Sequence, residues 1–543
     1  MTKMTATNKI SEVVEALSHY EFRYESTSDG FLEFQGVLRH EECAYDCEMY
    51  IAKDFASLPL IRLKAIPGIL GAVAPHLSAM GWLCYLSRSS TVINIFDPVG
   101  QTIAFVKRAE YVLGQILDGS VVDDLADEFF AYWGSSSNSC FFDVDDFESK
   151  SLHLLWGFEK SESNQAFLSN DLVRTKMKAA ALGRNIFQNR IPVLAFVSPI
   201  PPQASLVHWP ISNLGEFLSW QRHLDGPTSY RIEAAIKNTV RCGAPGVVVA
   251  IKSPRFIYSL VILFTKSGKL KEKKVSLDEL RESIAMPYFG SRIDDKFIVE
   301  RNVPSMKTLA EKRIALVGCG TIGGYLADLL VRAGAGSGGG ELVLIDNDIL
   351  TTGNLGRHIL GFSDVGKNKA RGMARKFLRD TPGANVKSIQ LDAKEVNLTK
   401  MDLVIDATGE ESLGYILEPK YRAAQARLSA WIEGPGIAVR GHLKTERGQA
   451  CGYCLANYAQ EGQYHATVEP MPKIYAGQGC EQEYVPFPAT VSIQAACLAL
   501  DMALDWAAGN QTSTLRTRVV VPGYTCQPDS SPPSIEGCPA CDS

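Results

Sequence analysis

The spacing of apolar and polar positions changes several times along the chain, and each change marks an element or a boundary. The first seventeen residues, MTKMTATNKISEVVEAL, are amphipathic and polar. FLEFQGVL (31–38) and HEECAYDCEMYIA (40–52) then read as β structure, and QTIAFVKRAEYVLGQILDG (101–119) carries a helical period. Residues 120–150 are acidic and serine-rich and read as the edge of a first domain. Beyond them the apolar strands HLLWGF, PVLAFVS, GVVVAIK and YSLVILFT run to about residue 295, with the helical patterns GEFLSWQRHL and SYRIEAAIKNTV between them. Charged KSGKLKEKKVSLDELRES (266–283) reads as a hairpin tip and helix on solvated surface. The last segment alternates strands (RIALV, ELVLID, MDLVID) with helices and ends on the apolar helix VSIQAACLALDMALDWAAG (491–509). The prediction is an α/β multidomain chain: residues 1–145, α+β; residues 146–298, an α/β middle domain; residues 299–543, Rossmann-like.

Composition narrows the classes. At 543 residues and 46% hydrophobic, the chain can build several cores. A net charge of −5 argues against general nucleic-acid binding. The N-terminus does not read as a signal peptide, and no run of about eighteen apolar residues occurs, so no membrane partner and a cytoplasmic location are expected. Thirteen cysteines then point to metal and thiol chemistry rather than a disulfide framework.

The most specific chemistry lies between Arg313 and Lys369. RIALVGCGTIGG runs a strand into Gly318-x-Gly320-x-x-Gly323 and a helix, and ELVLID closes a second strand on Asp346. Glycines permit a tight turn and close approach to phosphate, and the helix N-terminus offers free N–H groups to an anion. An acid closing the second strand can take a ribose hydroxyl. Asp348, Asn354, Arg357 and Lys369 follow. A dehydrogenase has no evident use for that set, whereas an enzyme that must neutralise the triphosphate of ATP does. The run resembles the adenylating domain of the ubiquitin-activating family, including the ThiF/MoeB/HesA-type sulfur-carrier activators, over roughly residues 300–543. That resemblance implies ATP and Mg²⁺, with ribose on Asp346 and phosphates on Asn354, Arg357 and Lys369. One departure stands out: Asp406-Ala-Thr-Gly409 replaces the Asp-x-Thr-Asp of many relatives, so the magnesium-linked second carboxylate is missing. Glu410 or Glu411 is the candidate substitute.

Cys451-Gly-Tyr-Cys454 and Cys538-Pro-Ala-Cys541 form two CxxC pairs more than eighty residues apart. Two such pairs can complete a tetrahedral Zn²⁺ site, and a redox CxxC is the alternative. The arrangement is similar to the structural zinc of the sulfur-carrier activators. Cys480 lies in the Gly/Pro-rich loop AGQGCEQEYVPFPAT, where relatives carry the cysteine that captures the activated acyl group. Cys497 is expected in the core of its helix and Cys319 as a small filler of the glycine loop.

Near the other end, PHLSAMGWLCYL (75–86) places His76 eight residues before Cys84. The Gly81-Trp-Leu-Cys84-Tyr element resembles that of ubiquitin-conjugating enzymes, in which an asparagine precedes the cysteine by eight. The full His-Pro-Asn is absent. By position His76 is the candidate to hydrogen-bond an oxyanion or to orient or deprotonate an attacking amine. Cys43 and Cys47 look structural, and in the middle domain His208, Trp209, His223 and Cys242 are scattered without a constellation.

The domain order is similar to the fused activating–conjugating enzymes of bacterial CBASS antiviral operons. It implies adenylation of a partner's free C-terminal tail, thioester transfer from Cys480 to Cys84, and conjugation to a target amine. The implied partner is a CBASS nucleotidyltransferase or a ubiquitin-like protein, and a homodimer is expected, with Arg301 as an extra phosphate ligand across it. Two rival functions remain: a sulfur-carrier activator without conjugation, and a non-catalytic nucleotide-regulated scaffold.

Overall fold

The computed structural model describes residues 2–70, 73–78, 80–86, 91–133, 139–145, 147, 152–159, 162–189, 191–204, 209–254, 256–264, 277–420, 426–474, 484–510 and 512–542. They form two compact units. The first comprises residues 1–140, 147–154 and 189–291, and the second residues 141–146, 155–188 and 292–543.

In the first unit a five-stranded antiparallel sheet runs in chain order through Arg23–Ser28, Phe31–His40, Cys43–Ala52, Leu60–Leu63 and Trp82–Leu83. Alternation decides its faces: Leu32, Phe34 and Leu38 point inward from one strand, and Cys47, Met49 and Ile51 from the next. They pack with Phe105, Val106, Ala109, Leu113 and Ile116 of the helix Pro98–Leu117. That helix starts where Asp97 accepts the Gly100 N–H at 2.9 Å and proline occupies the first turn. Elsewhere in the unit the strands Val193–Val197, Gly246–Lys252, Ile257–Leu263 and Ile284–Arg292 pair in that order, the first pair parallel and the others antiparallel. Phe129, Trp133, Trp220 and Tyr258 form an aromatic core beside them, each burial contributing about 1.5–3 kcal/mol.

The second unit is built on a seven-stranded sheet. Its order is Val386–Ile389, Glu341–Ile345, Arg313–Val317, Leu403–Asp406, Ala426–Glu433, Ala438–Lys444 and Leu515–Val519. The first five are parallel and the last two antiparallel. From Arg313–Val317 the chain winds outward one way and then returns on the other side, so a topological switch point lies beside that strand. Open α/β sheets bind ligands outside the carboxyl ends of strands at such a point.

The helix Ala489–Ala508 is, among the described residues, the one helix long and apolar enough to cross a membrane by length and composition. Polar residues such as Asp501 interrupt its apolar run. Here Val491, Ala495, Leu498, Ala499 and Met502 are buried in the core against the sheet, so it serves as a core helix.

Candidate functional site

At the carboxyl ends of three parallel strands lies a cavity of about 840 Å³, lined by Gly318, Gly320, Asp346, Asp348, Lys369, Asp406 and residues of the return strands. Gly318 holds φ +84, and a Cβ there would meet Thr408 at 2.9 Å. Gly320 caps the helix Thr321–Arg332 without a side chain, leaving the first N–H groups of that helix free for an anion. Asp346 accepts the Cys319 N–H at 2.6 Å and the Asp348 N–H at 2.8 Å, while burial raises its carboxyl above the ordinary range. Lys369 is buried and pairs with Asp348 at 2.9 Å. Its place is fixed because Asn368 caps the helix Lys369–Asp380.

Gly323, Asn354 and Arg357 do not line this cavity. Gly323 serves packing: a Cβ would stand 1.8 Å from the Gly318 carbonyl oxygen. Asn354 closes a capping box with Thr351. Arg357 lies behind the wall, donating to the Val485 carbonyl at 3.2 Å and stacking on Phe487 at 4.6 Å. Its Nε is buried without a hydrogen-bond partner among the described residues. Cys480 falls in residues 475–483, outside the described residues, and His208 in residues 205–208 does as well. Cys319 is fully buried, consistent with a filler, and Cys497 is half-buried in its helix. One supporting residue gave no sequence signal. His358 accepts the Leu360 N–H on Nδ1 and meets the Cys319 carbonyl with Nε2 at 2.7 Å, bracing the glycine loop from beneath.

The third parallel strand ends on Asp406, whose Oδ1 accepts the Thr408 N–H and hydroxyl at 3.0 and 2.7 Å. Gly409 stands at φ +72, a region that favours glycine, and open space surrounds the position a Cβ would take. Glu410, Glu411 and Asp392 also line the cavity.

Cys451, Cys454, Cys538 and Cys541 converge, with all four sulfurs within 4.8 Å of one another. The closest Sγ pairs are 3.6, 3.7 and 3.8 Å apart. Four thiolates about 2.3 Å from a tetrahedral ion stand about 3.8 Å apart, so the group could hold a metal ion. The Ile535 N–H and Lys444 Nζ reach Cys454 and Cys541 at 3.4 and 3.2 Å, giving one sulfur a hydrogen-bond donor and the other a positive charge.

In the first unit Cys84 is exposed and its N–H donates to the His76 carbonyl at 2.7 Å. Gly81, at φ +84, is needed just before it, because a Cβ would press within 2.3 Å of the Leu63 carbonyl oxygen. Desolvation by its neighbours, then the Glu128 carboxylate, hold the Cys84 thiol above its ordinary range. His76 gives both ring nitrogens to carboxylates: Nδ1 to Glu128 at 2.7 Å and Nε2 to Asp124 at 2.9 Å. The hydrogen bond to Glu128 leads in raising its pKa to about 9, with Asp124 adding to it against desolvation. At neutral pH it is an imidazolium, so neither nitrogen is free to take a proton. Asp124 and Glu128 come from the acidic stretch that composition marks as a boundary. The four-residue spacing of Asp124, Glu128 and Tyr132 is the signal that could have singled them out.

Two family models match: the ThiF family over residues 295–523 and the Prokaryotic E2 family B over residues 19–142. The ATP-dependent ubiquitin transferase-like protein Cap2 of Pseudomonas aeruginosa is 40% identical, spanning 99% of this chain and 100% of that protein. The protein of the same name from Escherichia coli is 27% identical over 84% of this chain and 85% of its own length. A crystal structure of E. coli MccB with ATP aligns with 42% of this chain and 67% of that one, at 18% identity and a TM-score of 0.32.

Proposed function

The chain belongs to the family of ATP-dependent ubiquitin transferase-like proteins called Cap2, and on that footing we propose a route for its adenylation and conjugation chemistry through named residues. Asp346 binds the ribose of ATP, while the Gly318–Gly320 loop and Lys369, oriented by Asp348, hold the phosphates. The free C-terminal carboxylate of a partner protein attacks the α-phosphorus, the bond to pyrophosphate breaks, and an acyl-adenylate forms. The Cys480 thiolate attacks the acyl carbon and AMP leaves. Cys84 then takes the acyl group with release of the Cys480 thiolate, and a target amine forms the C–N bond as the C–S bond breaks. His76, charged and held at both nitrogens, positions Cys84 instead of accepting a proton.

The carboxylates of Asp406, Glu410 and Asp392 suit Mg²⁺, which would offset phosphate charge there. The four-cysteine group suits structural Zn²⁺, joining the helix Gly452–Gln460 to the helix Pro539–Asp542. The partner class is a ubiquitin-like protein or a CBASS nucleotidyltransferase, acting in antiviral defence in the cytoplasm. A homodimer, with Arg301 reaching the partner subunit's phosphate site, completes the reading.

The observation that carries it is the gathering of the glycine loop, Asp346, Asp348 and Lys369 in one cavity, on a chain that also exposes Cys84. The test is intact mass spectrometry of wild type, Cys480→Ser and Cys84→Ser with ATP and the candidate partner encoded beside the gene. Cys84→Ser should keep partner-dependent pyrophosphate exchange and lose conjugates. Undiminished conjugation by that variant would point to an activator that does not use Cys84. Absence of any exchange in wild type would favour a nucleotide-regulated scaffold.

A further inference from the structure

The backbone that carries Cys84 is fixed by side chains to which the route above gives no part. Cys84 donates its N–H to the His76 carbonyl, so the placement of the thiol follows the placement of His76. His76 itself stands at φ +59, a left-handed conformation that costs a non-glycine residue about 1 kcal/mol and persists only where its surroundings hold it. Three groups do so. Glu128 accepts the His76 backbone N–H on Oε2 at 3.0 Å and meets the ring at Nδ1 with Oε1. Asp124 meets Nε2. The Tyr132 hydroxyl lies 2.9 Å from both Glu128 Oε2 and the Ala74 carbonyl, so one proton serves both and the segment is fastened two residues before His76 as well. Asp124, Glu128 and Tyr132 recur every fourth residue and present one row of groups.

We propose that Asp124, Glu128 and Tyr132 are positioning residues for acyl transfer at Cys84, forming a clamp on His76 that fixes the backbone from which the thiol projects. This rests on the reading of Cys84 as the acyl-bearing thiol. The clamp also has an electrostatic consequence. With two carboxylates and one imidazolium it carries a net negative charge beside the sulfur, and Glu128 opposes a thiolate there. Tyr132 also faces Cys84, and Arg108 of the packed helix is engaged through its Nε with the Tyr85 carbonyl at 3.3 Å. A thiol of raised pKa is a poorer leaving group, so the charge of the clamp slows departure of this sulfur from a thioester toward water and amine alike.

The full-length chain tests this without a partner protein. Iodoacetamide labelling of Cys84, followed by peptide mass spectrometry across a pH series, reads the thiol. Hydrogen–deuterium exchange of residues 81–86 reads the backbone. In Glu128→Gln the labelling midpoint should fall by about half a pH unit, with about twofold faster labelling at pH 7. Exchange at residues 81–86 should rise several-fold while Phe31–His40 stays protected. Tyr132→Phe keeps the Glu128 charge and should raise the exchange without lowering the midpoint. A folded Glu128→Gln with wild-type midpoint and wild-type exchange overturns the proposal. If that variant does not fold, unchanged exchange in Tyr132→Phe overturns it. Whether Cys84 bears the acyl group is read separately, from the masses of wild type and Cys84→Ser after ATP and partner, so the two failures are distinguishable.

Discussion

Gly323 and His76 each show how one position can commit a whole site. At Gly323 an added Cβ would stand 1.8 Å from the Gly318 carbonyl oxygen, so the glycine loop or the start of its helix must move. Gly323→Ala is expected to cost about 1–3 kcal/mol, seen as a lower urea midpoint, and to weaken ATP binding in calorimetric titration. At His76 the folded-state pKa of about 9 stands above the ordinary 6.5. Its contribution to stability is therefore complete below pH 6.5 and is lost as the pH rises through about 9. Glu128 works with the opposite sign: its pKa is lowered from 4.5, despite burial, by the bonds from His76 and Tyr132. Its contribution is present above pH 4.5 and is lost as the pH falls through the lowered value. The clamp is thus strongest between pH 4.5 and 6.5. The stability difference between wild type and His76→Asn, from urea unfolding of the first unit, should shrink between pH 6.5 and 9.5. A constant difference across that window would mean that the imidazolium contributes nothing.

Elements were the most legible scale in the sequence, because period, run length and the flanking glycine or acid together distinguish a strand from a helix. Arg313–Val317, Glu341–Ile345 and Leu403–Asp406 stand where apolar runs meet glycine or acid, and Pro98–Leu117 and Ala489–Ala508 follow their helical spacing. The glycine loop and each CxxC pair were legible because their parts lie within a few residues, and the two pairs, 87 residues apart, could be joined because a four-thiolate site requires both. Other contacts between distant segments were not. Glu128 lies 52 residues from His76, and nothing local in either segment names the other. The same holds for Asp143, which is fully buried yet ionic. It meets Arg174 at 3.0 Å, Lys178 at 2.9 Å and the Thr175 hydroxyl at 2.6 Å, all from the helix Leu172–Ala181, and Lys178 also pairs with Asp295 at 2.8 Å. Such a group holds the 141–146 and 155–188 segments within the second unit. Removing one partner from a buried ionic set leaves charge without compensation, so Asp143→Ala should cost about 3 kcal/mol in urea unfolding. Asp143→Asn, which keeps a hydrogen-bond acceptor, should cost less. Chelation acts on another joint of the same unit. Loss of a tetrahedral ion from the four cysteines should lower the thermal midpoint of the second unit and raise hydrogen exchange in the helix Gly452–Gln460, leaving Phe31–His40 unaffected.

For the molecule as a whole, the proposed route makes concentration the consequence of joining its two stations in one chain. An activating site and a conjugating thiol on separate proteins meet at a rate set by their dilution, whereas two stations on one chain meet at an effective concentration fixed by the tether. This gives a prediction that no single-site variant can test. Lys369→Ala should disable adenylation while leaving Cys84 intact, and Cys84→Ser should do the reverse. Mixed in equal amounts with ATP and the partner protein, the two variants restore conjugation only by transfer between chains. If handover runs within one chain, the mixture stays well below wild type and its specific activity rises with total protein, while that of wild type does not. Recovery of a constant share of the wild-type rate down to high dilution would show instead that the acyl group crosses between subunits of a stable dimer. The two outcomes also assign the tether its value: in the first, handover depends on both stations sharing one chain, and in the second, subunit association carries the handover in its place.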